Sequence, residues 1–132
     1  MDNPALDAAA IYIGLSIGIL TWLSVGIGRL RGQLKISIGD GGEPRMIRAM
    51  RGQANFVENV PLTLLALLGM ALMGAPAWAI HVLGLTLCVA RVIHGMHFLA
   101  ADAPGWQRAA GTLLTLLVQA VAGLGLIAHA LL

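Results

Sequence analysis

The sequence predicts an all-α integral membrane protein, a bundle of four transmembrane helices, on three observations. First, 58% of its 132 residues are hydrophobic and 11% are charged. The mean hydropathy is +0.86, well outside the range of a soluble domain. Second, residues 8–28 contain no charged side chain, which is about the ~20 residues a helix needs to cross a bilayer. Third, three turn clusters divide the remainder into long apolar segments: Gly39-Asp40-Gly41-Gly42, Gly74-Ala75-Pro76 and Asp102-Ala103-Pro104-Gly105.

The expected elements are helices at about 6–28, 45–73, 77–100 and 106–131, forming one membrane domain over residues 1–132. Gly14, Gly18 and Ser24 in the first helix suit close helix contact. Residues 29–44 are expected to form a basic loop. Pro44 is a favourable first-turn residue for the second helix, and Pro61 should bend that helix by freeing the Val57 carbonyl. The turn at 74–76 is too short for anything but an antiparallel hairpin. The N-terminus has no positive region ahead of its apolar segment, and that segment is too long for a signal-peptide core. It is therefore expected to remain as an anchor.

Charge sets the topology. Arg29, Arg31, Lys35, Arg45, Arg48 and Arg51 are six of the eight basic residues. They sit between two apolar segments, which argues against a nucleic-acid surface and for a cytoplasmic loop. Both termini then lie outside, beside Asp2 and Asp7, and the turn at 101–107 lies inside. The single cysteine, Cys88, lies in an apolar run, where it behaves as a small hydrophobe. His94 and His97 diverge by about 60° on a helix and share their faces with no carboxylate or thiol, so no metal site is expected. Trp78 and Trp106 fit interface anchors.

The chemistry gathers on the stretch 48–61. At about 100° per residue, Arg48, Arg51, Asn55 and Glu58 fall within roughly 80° of one another. Gln53 points to nearly the opposite side. An intramembrane Glu58 marks either a functional site or an ion pair. Arg91, His94 and Phe98 share a face of the third helix, and Arg108 opens the fourth. One reading is an electropositive pocket with one carboxylate, suited to an anionic, peptide-like ligand: arginines fork onto carboxylates, Asn55 holds an amide, and Glu58 takes an ammonium. The other is that Arg51, Glu58 and Arg91 form structural ion pairs that pin the bundle.

The motif Arg48-x-x-Arg51-x-Gln53-x-Asn55-x-x-Glu58-Asn59-x-Pro61 resembles the second-helix signature of the MAPEG superfamily, the membrane-associated proteins of eicosanoid and glutathione metabolism. Gly39-Asp40-Gly41-Gly42 is similar to its bacterial branch, and Arg91-x-x-His94 to its third-helix pattern. The resemblance covers nearly the whole chain. It implies a homotrimer with glutathione bound between neighbouring subunits near the cytoplasmic ends. Arg51, Asn55 and Glu58 match glutathione-binding positions. Gln53 matches one serving the site across the other interface, and Arg91 and His94 match glutathione-binding positions on the third helix. Arg29 or Arg31 stands where a first-helix arginine reaches the glutathione carboxylates. Arg108 matches the arginine that activates the thiol, with Arg91 as its rival.

The resemblance thus implies a microsomal-type glutathione transferase of a bacterial inner membrane, with its active site facing the cytoplasm. It would conjugate glutathione to hydrophobic electrophiles in detoxification and reduce lipid hydroperoxides. Members that act on leukotriene or prostaglandin precursors carry tyrosines at positions matching Asn59 or Phe98, so a tyrosine-assisted step is not expected. The alternative is a non-enzymatic, lipid-binding member. A small four-helix exporter is disfavoured, since residues 8–28 contain no carboxylate.

Overall fold

A computed structural model describes residues 3–132; Asp2, read above as marking an outer terminus, lies outside the described residues. Four α-helices follow one another: α1 (Pro4–Leu34), α2 (Pro44–Leu72), α3 (Ala77–Leu99) and α4 (Gly105–Leu131). All four are long and apolar enough to cross a membrane. The amide N–H of Leu6 donates to Asn3 Oδ1 over 3.2 Å, capping α1, and Pro4 occupies its first turn.

The first helix departs from expectation at its end. It continues past Gly28 to Leu34, so Arg29 and Arg31 stand on a helix and not in a loop. Loss of hydropathy marks where a segment leaves the bilayer, not where a helix stops. Arginine and glutamine are good helix formers, and basic side chains suit a helix C-terminus. At 31 residues the helix is roughly 46 Å long, longer than the ~30 Å hydrocarbon core. It ends where Lys35 turns left-handed at φ 56°, and the Ile36 amide returns to the Arg31 carbonyl over 3.1 Å. The remaining loop is short. Asp40 Oδ1 accepts from the Gly42 amide over 2.8 Å, and Gly39, Gly41 and Gly42 all have positive φ.

Helices α2 and α3 form the centre of the bundle. Each contacts the other and both outer helices, while α1 and α4 do not touch. Tyr12, Leu23, Phe56, Leu87 and Val118 form the middle of the core. Ile27, Leu30, Met46 and Ala49 close the end that carries the α1–α2 loop. Large apolar side chains point outward along the spans, such as Leu62 (72% exposed) and Leu124 (69%). Such exposure is natural against lipid, whose tails are as apolar as leucine. Close approach of α4 to α3 depends on Gly111, where an added Cβ would lie 2.6 Å from His94 Cβ and 2.8 Å from the Ala90 carbonyl oxygen.

Candidate functional site

The α2 stripe lies on the outside of the bundle. Arg51 and Glu58 are exposed, and Arg51 Nη1 lies 3.9 Å from Glu58 Oε1. Both belong to α2, so the pair ties no two helices together. It is the one ion pair among the described residues. For Arg51 and Glu58, the reading in which charges pin the bundle has no interhelical ion pair behind it among the described residues. Glu58 lies seven positions beyond Arg51, about 10 Å deeper along the axis, on a face that continues outward through Leu62 and Leu65.

Behind the stripe, Asn55 is the link to the interior. Arg91, only 2% exposed, donates from Nη2 to Asn55 Oδ1 over 2.9 Å and to His94 Nδ1 over 3.2 Å. That second bond makes Nδ1 the acceptor and leaves the His94 proton on Nε2. Nη1 makes a long contact of 3.5 Å with Thr115 Oγ1, while the Phe56 ring centroid lies 5.7 Å from the guanidinium carbon. His94 is also 2% exposed and stacks at 4.6 Å on Phe98. Arg91 and His94 thus stand beneath Asn55, not beside Arg51 on the outer face.

A polar ladder continues from this point, and the sequence reading did not use it. Asn59 Nδ2 donates to the Asn55 carbonyl over 2.8 Å. Gln119 Nε2, from α4, donates to Asn59 Oδ1 over 3.1 Å and to Thr63 Oγ1 over 3.2 Å. Asn59, set aside in sequence for lacking a tyrosine hydroxyl, is therefore committed inward. The signal was present as spacing: Asn55, Asn59 and Thr63 recur at every fourth position of α2, and Thr115 and Gln119 stand four apart on α4.

The other candidates lie apart from this network. Gln53 faces α1, where Nε2 donates to Ser24 Oγ over 2.7 Å. Arg31 is held by the loop: Nη1 donates to the Gly39 carbonyl over 2.8 Å, and Nη2 approaches Met50 Sδ at 3.9 Å. Arg29 and Arg108 are exposed, and neither makes a hydrogen bond or ion pair among the described residues. Arg48 braces the same end of the bundle, with Nη2 donating over 2.6 Å to the His97 carbonyl in the last turn of α3. His97 in turn contacts the Pro104 carbonyl at 3.2 Å, just ahead of α4.

The arrangement offers an outward face with both signs of charge, an amide fixed from behind by a buried guanidinium, and two unengaged arginines at the same end of the helices. The chain is 35% identical over 91 residues to the inner membrane protein YecN of Escherichia coli strain K12, a match spanning 67% of this chain and 70% of that protein. The protein of the same name from Escherichia coli O6:H1 matches equally. The MAPEG family model matches residues 9–128. Nearly the whole chain is covered, and the protein belongs to the MAPEG family.

Proposed function

We propose that this protein is a membrane glutathione transferase that works as a homotrimer, in an inner membrane like its Escherichia coli relative. The observation that carries the reading is the exposed Arg51–Glu58 pair at membrane depth. A carboxylate facing lipid is costly, so a polar ligand or another copy of the chain must cover it. Glutathione has matching chemistry: two carboxylates, an ammonium and two amides. Arg51, with Arg29 or Arg31, takes the carboxylates. Glu58 takes the ammonium and Asn55 an amide, while Arg91 and His94 hold Asn55 in place. Gln53 serves the site across the neighbouring interface.

In this reading Arg108 is the catalytic residue. Its guanidinium and the positive end of α4 stabilise the glutathione thiolate, and the thiol proton leaves to solvent. The sulfur attacks a hydrophobic electrophile arriving from the lipid. A sulfur–carbon bond forms, and the leaving group departs with its electron pair. A lipid hydroperoxide would be reduced by two glutathione molecules, giving an alcohol, water and glutathione disulfide. The site faces the cytoplasm and the termini face outward.

Calorimetric titration of the detergent-solubilised protein with glutathione tests the binding step, and turnover of an aryl halide tests the chemistry. Saturable binding with turnover supports the transferase. Binding without turnover, or none at all, returns the alternative of a non-enzymatic lipid-binding member.

A further inference from the structure

We propose that the cleft beside Arg91 binds one halide-sized inorganic anion. The guanidinium is 2% exposed within the apolar span of α3. Its partners are the neutral side chains of Asn55, His94 and Thr115. Among the described residues no carboxylate lies within ion-pair distance of it. A buried charge without a counter-charge is strongly unfavourable.

The missing charge has a place to sit. A cleft of about 30 Å³ lies between α2, α3 and α4, lined by Asn55, Asn59, Arg91, Thr112, Thr115 and Leu116. Space on this scale suits a small occupant.

Several donors of the lining residues have no partner among the described residues. Arg91 Nε is buried and has no partner among the described residues. Neither the Asn55 amide nitrogen nor the Thr112 hydroxyl makes a hydrogen bond among the described residues, whereas Asn55 Oδ1 and Asn59 Oδ1 already accept from Arg91 and Gln119. A water brings no charge, although the Thr112 hydroxyl and the second lone pairs of the amide oxygens would accept its protons. A cation would meet the guanidinium. A monovalent anion such as chloride or bromide satisfies both the charge and the donors. The site does not rest on the glutathione reading.

The test is thermal unfolding of the solubilised protein, followed by tryptophan fluorescence, as sodium chloride or bromide replaces sodium gluconate at constant ionic strength. An ion that binds only the folded state raises its stability by mass action. The expected result is a saturable rise in Tm with either halide. Thr112→Val keeps the guanidinium but removes one donor. It should raise the half-saturating concentration by about tenfold, the scale of one hydrogen bond to a charged group. A Tm independent of halide, or an unchanged titration in Thr112→Val, overturns the site. A third arm repeats the wild-type titration under saturating glutathione. A persisting halide response supports a separate ion. Its disappearance assigns the cleft to an anionic group of glutathione and also overturns the proposal.

Discussion

Arg91 and Asn55 join α3 to α2 through a 2.9 Å hydrogen bond in which a buried guanidinium donates to a neutral amide. The bond places the positive charge directly behind the outward polar stripe. It also makes Asn55 a structural and a ligand-facing residue together. Asn55→Leu should therefore destabilise the bundle by about 1.5–3 kcal/mol, the usual scale for a hydrogen bond to a charged group. Asn55→Asp supplies the missing carboxylate and should unfold later than Asn55→Leu. Unfolding in a mixed detergent titration reads both. Equal stability of the two variants would remove Arg91 as the partner that matters.

Arg51 and Glu58 face outward as a same-helix pair, so their loss should spare the core. Arg51→Ala and Glu58→Ala are each expected to weaken glutathione binding by about 2–5 kcal/mol, the scale for truncating one partner of a charge pair that the bound ligand and the neighbouring subunit bury. Calorimetry measures this, with oligomeric state checked on the same samples by light scattering. Normal affinity in two intact variants would refute the ligand roles given to these residues.

Arg108 is exposed in the first turn of α4 and makes no hydrogen bond or ion pair among the described residues. Arg108→Leu should leave glutathione binding largely intact but raise the thiol pKa, because removing a nearby cation disfavours the charged form. Thiolate absorbance near ~239 nm should fall at neutral pH, where the cation holds the thiol ionised, and recover only at higher pH. Turnover with an aryl halide should follow it. Should Arg108→Leu keep both signals while Arg91→Leu loses them, thiol activation belongs to the third helix.

Topology has a direct probe in Ile38, which is 87% exposed in the loop between α1 and α2. It avoids the positive φ of Gly39, Gly41 and Gly42, where a side chain would be strained. Ile38→Cys in a Cys88→Ala background is expected to resist an impermeant thiol reagent in intact cells and to react after permeabilisation. Labelling of intact cells would place the basic loop outside.

The four helices and the stops of α2, α3 and α4 were legible in the sequence because both depend on neighbouring residues alone. Hydropathy marks the spans, and Gly74, Pro76 and Pro104 punctuate them. The shared face of Arg51, Asn55 and Glu58 was legible for the same reason, since seven residues make almost two whole helical turns. The end of α1 was not, because membrane exit and helix termination are different events, and the second was decided by Lys35 turning left-handed.

Whether Arg91 is buried, and against what, could not be read from its own helix. That depends on how α2, α3 and α4 are rotated and offset against one another. The tertiary structure alone gave the guanidinium an amide where a carboxylate was the natural expectation. It also turned Asn59 inward to Gln119, a residue 60 positions away in sequence. Cross-helix hydrogen bonds need atoms within about 3 Å. The spacing along one helix fixes which side chains share a face, but not which face meets its neighbour.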